Sequence, residues 1–448
     1  MLSLFHQSAR ALTMLAFLLP ATPYIAFSET QPLSLEIPGE WSLAQAVEYA
    51  LTNNPEIHIA LERIASSQAM ATAALSATLP TVTLGSEYSQ TDNPMYSFGN
   101  ILNQGAFDNS IDFNDPGRTD SLALQAMLQY RLYDGGKTRA EIEQADATKR
   151  AAESRLGAVH HQLAYEVVRS YYNIRQAEEM VDVRNAAVAS IEASLAVGRA
   201  RYEEGDLLKE DILNLELQQA RERENSIRSR HDFDLACKIF WNLLGLHSQG
   251  KGTLPEIVEQ QEVPEQFTHA ARKELEVIRD QISAAEAALS GARSTEKPVI
   301  DSYARYQYEY GTVLGESGDS WQAGVRLNYS LYNGNRTEAE ISAAQARLAE
   351  MQAMQAKIDL ALDLEMQQAE INYMQTLERL QLTAKMVEVA EESAKLSRTR
   401  FQEGVILASD LIDTEMRLTD ARARRASAKA ENRIAIANLR RATGAGQF

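Results

Sequence analysis

The chain of 448 residues carries 62 acidic against 44 basic side chains, and its formal charge of −18 argues against nucleic acid or anionic lipid as a partner. A single cysteine, Cys237, excludes an internal disulfide and a lipidated N-terminal cysteine. Only 22 glycines and 11 prolines in a chain rich in Ala, Leu, Glu, Gln and Arg favour long helices.

Residues 1–28 read as a signal peptide. Arg10 provides the positive start, residues 11–19 the apolar stretch, and Ala26-Phe27-Ser28 a small-x-small cleavage site before Glu29. Nine apolar residues before Pro20 are too few to span a bilayer. Cleavage there removes one base and no acid, taking the charge from −18 to −19. After residue 28 no run of eighteen apolar residues occurs, so no transmembrane helix is expected.

Residues 41–79 have a helical composition, with Ser42 as N-cap and Pro80 as stop. The period then changes from helix to strand. Strands are expected at about 81–90 and 120–133, separated by an Asn-, Asp- and Gly-rich exposed loop. In the second strand Leu122, Leu124, Ala126, Leu128, Tyr130 and Leu132 share one face. The opposite face carries Ser121, Gln125, Gln129 and Arg131 and is more polar apart from Ala123 and Met127.

A rod of about 70 residues, on the order of 105 Å of helix, should then run from Asp134 to a turn at Gly205. Its apolar residues fall three or four apart, the spacing of a helical bundle. A helix of half that length should follow over 206–245. Residues 251–268, with Gly252, Pro255 and Pro264, form an irregular linker at mid-length. Helix resumes at 269–295, strands follow at about 299–310 and 321–332, and a second rod covers 335–403. Trp321, Val325, Leu327, Tyr329 and Leu331 line one side of the last strand, Gln322, Arg326 and Asn328 the other. Strands of about ten residues with one apolar face and aromatics near the ends carry the pattern of a transmembrane barrel. The rival is a surface sheet on a soluble core, but no other segment supplies that core.

The second half restates the first. Tyr130-Arg-Leu-Tyr-Asp-Gly-Gly-Lys-Thr-Arg-Ala-Glu-Ile142 returns as Tyr329-Ser-Leu-Tyr-Asn-Gly-Asn-Arg-Thr-Glu-Ala-Glu-Ile341, with 8 of 13 positions identical. Arg199-Ala-Arg-Tyr-Glu-Glu-Gly205, followed by Asp211, returns as Arg398-Thr-Arg-Phe-Gln-Glu-Gly404, followed by Asp410. Both pairs are 199 residues apart, so no net insertion lies between the motifs, as a continuous rod requires. Two repeats follow, 29–250 with its tip at 205 and 269–448 with its tip at 404.

This order, and above all Tyr-x-Leu-Tyr-[Asp/Asn]-Gly and [Tyr/Phe]-x-x-Gly-x-x-x-x-x-Asp, resembles the TolC-like outer-membrane efflux family. The resemblance implies a mainly α fold with a small β part. It would be a homotrimer whose twelve-stranded barrel in outer-membrane lipid continues into a periplasmic α-helical barrel. The function implied is the exit duct of a tripartite efflux pump or type I secretion system. Its partners would be a periplasmic adaptor and an inner-membrane transporter of RND, ABC or MFS type. Physics independently asks for an oligomer, because four strands cannot close a barrel and an open edge in lipid leaves backbone groups unpaired. Two copies give eight strands, three give twelve and room for a lumen. A periplasmic adaptor or a structural coiled coil is the alternative function.

No catalytic, cofactor-binding or metal-binding set emerges. The adjacent His160 and His161 point in different directions on a helix. Glu204, Gly205 and Asp206, with Glu403, Gly404 and Val405, form the helical turns, and the resemblance makes them an adaptor-docking surface. It also makes Asp410 and Asp413 the carboxylates of the periplasmic entrance, with Asp211 (and Asn214) at the matching positions of the first repeat. Three apart on one helix, Asp410 and Asp413 can share a face and attract cations at a constriction. Arg199, Arg201, Arg398 and Arg400 are expected to pair with neighbouring acids, with contact to the adaptor as the alternative. Where some family members brace the closed tip with a basic residue and a tyrosine, this chain has Ile406 and Phe401, which leaves tip closure open.

Overall fold

The structure is a computed structural model and describes residues 39–247, 254 and 261–447. The expected signal peptide, residues 1–28, and most of the expected linker at 251–268 lie outside the described residues.

The N-terminal helical segment is broken where the sequence reading had one helix. α1 (Leu43–Asn53) opens on a Ser42–Gln45 capping box, and α2 (Pro55–Ser76) opens on Asn54, whose side chain accepts from the Glu56 N–H at 2.8 Å. Pro55 has no N–H to donate and holds Asn54 extended at φ −70°, ψ 133°, which ends the first helix.

β1 (Thr81–Thr91), β2 (Thr119–Tyr133), β3 (Val299–Tyr310) and β4 (Ser317–Asn328) form one antiparallel sheet in the order β1-β2-β3-β4. The loop expected between the first two strands contains a helix, α3 (Pro94–Asn103). It is started by Asn93, which accepts from the Met95 N–H, and by a proline in the first turn. The last strand was expected at 321–332 and runs four residues earlier at each end. Its register is fixed by β3, with Ser317 opposite Tyr310 and Asn328 opposite Val299, so residues 329–332 have no strand to pair with inside the chain.

Register sorts the sheet into two faces. Leu84, Ala126, Tyr306 and Trp321 lie in one cross-strand row, and Thr81, Gln129, Tyr303 and Gly324 in another of opposite orientation. The apolar face bears Leu84, Trp321, Val325 and Leu327, all exposed. The polar face holds an Arg131–Asp301 ion pair at 3.0 Å and Arg326 over the Tyr303 ring at 5.3 Å. β1 and β4 are left as edges.

Each strand pair feeds a long helix. α4 (Lys137–Glu204) has 68 residues and α7 (Arg336–Gln402) has 67, each about 100 Å long. Gly135 and Gly136 before α4, and Gly334 and Asn335 before α7, take positive φ between 65° and 96° and turn strand into helix. Asp134 Oδ2 accepts from the Thr138 N–H at 2.7 Å, and 199 residues on Asn333 Oδ1 accepts from the Thr337 N–H at 3.5 Å. α5 (Lys209–Leu243) and α8 (Ala408–Thr443) return along the rods as half-length partners. α6 (Lys273–Ser294) packs against both α4 and α7.

The main core is at mid-length, where α1, α4 and α5 meet. Trp41 is fully buried against Tyr49, Phe240 and Trp241 at ring separations of 5.1–6.5 Å, and Tyr171 packs on Phe240. A second apolar cluster sits at the far end, under the helical tips.

Candidate functional site

The two hairpins turn side by side. Gly205 and Gly404 have φ of +88° and +79°, a conformation that costs other residues a steric clash at Cβ. This lets the Asp206 and Val405 N–H groups fold back to the Arg201 and Arg400 carbonyls, each at 2.8 Å, so the last helical turns are closed. Leu207 and Ile406 then turn inward onto Ile191, Leu195, Leu215 and Leu411. Leu208 and Leu407, one residue on, stay exposed at 69% and 61%. These leucines occupy the N-cap positions of α5 and α8 and make no side-chain capping bond, as an apolar side chain must. Glu204, Gly205 and Asp206, with Glu403, Gly404 and Val405, are all exposed at this end of the molecule.

Arg201 ties one tip to the other. Its Nη1 donates to the Phe401 carbonyl at 2.8 Å, its Nη2 to the Asp206 carbonyl at 3.1 Å, and its guanidinium lies 5.1 Å from the Phe401 ring centre. The arginine therefore satisfies carbonyls at the C-terminal ends of both long helices, where a cation is favoured. Phe401, 1% exposed, fills the apolar cluster between the hairpins, and Ile406 packs beside it. In this chain the tips are held by one arginine of the first repeat and an aromatic of the second. The partners of Arg201 are thus carbonyls and a ring, not the neighbouring acid that its position suggests.

Arg199 and Arg398 do pair with acids. Arg199 meets Glu216 at 2.9 Å, and Arg398 makes a two-pronged bond to Glu415, which also accepts from Ser190 of the first hairpin at 2.9 Å. The bond from Glu415 raises the Arg398 pKa above its ordinary value. Glu216 and Glu415 were not singled out in the sequence. The signal was available, since each stands 17 residues after its arginine.

Asp410 and Asp413 are both exposed on α8, near the end of the hairpin where that helix begins. Asp413 is in an ion pair with Arg417 at 2.6 Å, whereas Asp410 has no basic partner within 4 Å among the described residues. Asp211, half-buried, lies in the first turn of α5 as Asp410 lies in that of α8, where a carboxylate also favours the helix end. The paired aspartates are thus unequal in charge environment.

Long helical hairpins are joined in this chain to a four-stranded sheet that is apolar on one face and open at both edges. The family model described as Outer membrane efflux protein matches residues 46–234 and 268–445, and the chain belongs to that family. The family is one of passive outer-membrane conduits and not of enzymes. Protein CyaE of Bordetella pertussis is 24% identical over 331 residues, covering 71% of this chain and 66% of that protein, so the chain spans just under two thirds of that relative's length. Outer membrane protein TolC of Vibrio cholerae is 22% identical over 428 residues and 90% of each chain. The crystal structure of VceC from Vibrio cholerae superposes with a TM-score of 0.79 over 91% of this chain and 97% of that one, at 18% identity, a likeness of fold. The protein's place is the outer membrane.

Proposed function

We propose that three copies of the chain close a twelve-stranded barrel in the outer membrane, with the helical hairpins continuing it as a periplasmic tunnel. The two structural repeats, 29–250 and 269–448, each supply one strand pair and one hairpin. The assembly is a passive exit duct for a tripartite efflux pump or a type I secretion system. A periplasmic adaptor docks on the tips at Glu204–Asp206 and Glu403–Val405, and an inner-membrane transporter of RND, ABC or MFS type supplies the energy. Asp410, Asp413 and Asp211 stand at the periplasmic entrance.

The single observation that carries this reading is the sheet. Its apolar face is exposed, and β1 and β4 present unpaired backbone groups at both edges. In lipid such edges must be paired, and a second and third copy can pair them. The polar face, with Arg131, Asp301 and Arg326, then borders the lumen.

Native mass spectrometry in mild detergent tests the assembly. A trimeric mass, and a band that shifts to monomer on boiling in SDS, are expected. A stable folded monomer would overturn the reading.

A further inference from the structure

The polar face of the sheet is sorted by charge along its length. Nearest the helices, Arg131, Asp301 and Arg326 share one cross-strand row. Arg305 stands four residues further along β3, in a row with Met127 and Gln322. Glu87 and Glu309 share a row four residues beyond that, with Ala123 between them. At 3.3 Å per residue these glutamates lie about 27 Å from the first row. The helical end of this face therefore carries three bases against one acid, and the far end two acids, in a chain whose net charge is −18.

The charges at the two ends are treated differently. Glu309 is buried and accepts from Asn103 at 3.1 Å and from the Ser121 hydroxyl at 3.3 Å. Asp301 pairs with Arg131 at 3.0 Å, and among the described residues neither Arg305 nor Arg326 has an acidic partner within 4 Å. Arg305 Nε is buried and has no hydrogen-bond partner among the described residues, an arrangement that costs free energy until an acceptor arrives.

Arg326 is braced by its neighbours. The Tyr303 ring lies across β4 because Gly324 opposite it has no Cβ, and one placed there would stand 3.0 Å from the Tyr303 hydroxyl. Gln322 donates to that hydroxyl at 3.4 Å, and the Arg326 guanidinium lies over the ring at 5.3 Å. Held on an aromatic face, the guanidinium keeps its fork of N–H groups for an incoming oxygen. Leu79, Met127, Arg131, Tyr303 and Arg326 line one cavity of about 260 Å³. That is just under the roughly 300–1,000 Å³ of drug-sized pockets, so it suits a single ring.

We propose that this cavity binds small organic anions, a carboxylate or sulfonate carried on one apolar ring. Arg326 takes the acid group, Arg131 and Arg305 supply further positive field, and Leu79, Met127 and Tyr303 cover the ring. The inference rests on the barrel proposed above, in which the polar face borders the lumen, and it names a class of cargo that pauses there. Three copies bring three such sites to one band of the lumen, and a ring of arginines at that depth favours anions.

Planar-bilayer recording of the full-length protein in about 0.15 M salt, where exposed charges are screened beyond roughly 8 Å, tests it. Benzenesulfonate titrated into both chambers should lower the single-channel current at concentrations where methanesulfonate, the same acid group without a ring, does not. Arg326→Gln should weaken that block on the order of tenfold, the loss of one charged contact, and Arg326→Lys should restore part of it. Arg305→Gln should weaken it by less. Exposed Gln125 lies on the same face outside the cavity, so Gln125→Cys in a Cys237→Ala background reports the barrel separately. A sulfonated methanethiosulfonate should reduce its current. If Gln125→Cys responds while benzenesulfonate fails to block, or blocks Arg326→Gln and Arg305→Gln as it blocks the unaltered channel, the site is wrong and the barrel stands. Equal block by methanesulfonate likewise removes the ring-binding cavity. If no channel forms, or Gln125→Cys does not respond, the barrel reading falls first, and this inference with it.

Discussion

Arg201 and Phe401, on different hairpins, are joined twice: the guanidinium donates to the phenylalanine carbonyl at 2.8 Å and lies 5.1 Å from its ring centre. A charged hydrogen bond and a cation–π contact together contribute about 1–3 kcal/mol at a partly buried site. Arg201→Ala is expected to leave the barrel intact and to speed amide hydrogen exchange in residues 395–412. Arg201→Lys should fall between, because an ammonium keeps the charge but not the fork. Exchange unchanged in both variants would remove the latch role.

The two turn glycines are expected to differ. Valine at either position meets the left-handed penalty of about 1–2 kcal/mol. A Cβ on Gly404 also comes within 3.2 Å of Arg201 Nη2, whereas one on Gly205 meets nothing within 4 Å. Gly404→Val should therefore loosen the tips more than Gly205→Val in the same exchange measurement. Its effect should be non-additive with Arg201→Ala, since both act on one contact. Equal and additive effects would mean the glycines serve only as turns.

At the entrance the two aspartates should not count equally. Arg417 offsets the charge of Asp413 at 2.6 Å, and among the described residues no base does so for Asp410. In planar bilayers, Asp410→Asn should lower cation selectivity more than Asp413→Asn, and Arg417→Ala should raise it. Identical selectivity in all three variants would return these residues to a solvated helix surface.

His160 and His161 give the helical body a pH dependence. Burial pushes both imidazoles below their ordinary value of 6.5. The neighbouring His161 adds to this for His160. For His161, Glu274 opposes it, and Arg272 and Lys273 reinforce it. With the folded pKa depressed, the unfolded chain binds more protons. Stability is therefore fully present above pH 6.5 and is lost as pH falls through the folded values. Thermal unfolding followed between pH 7 and pH 5 (the range about the ordinary imidazole value) should show the melting temperature falling. His160→Gln with His161→Gln should flatten that fall, and a slope unchanged in the double variant would assign it to other groups.

Much of this was legible in residue order. The alternation at Leu122–Leu132 and the three-four spacing along α4 are local properties, because side-chain direction follows chain period. The strand-to-helix turns were legible at Gly135, Gly136 and Gly334 for the same local reason. Asn54-Pro55 and Asn93-Pro94 were equally local signals, and they cut or added a helix that composition alone had smoothed over.

By itself the sequence determined the two kinds of element, the register of 199 between the halves and the glycines at the tips. Only the tertiary structure decided that β4 ends at Asn328, that Arg201 reaches Phe401, and that Asp413 but not Asp410 is paired with a base. Helix period and φ preference are set within a few residues of chain. Which flank of one hairpin meets which flank of the other is set by packing between residues some 200 apart, and that information appears only when the two rods lie together.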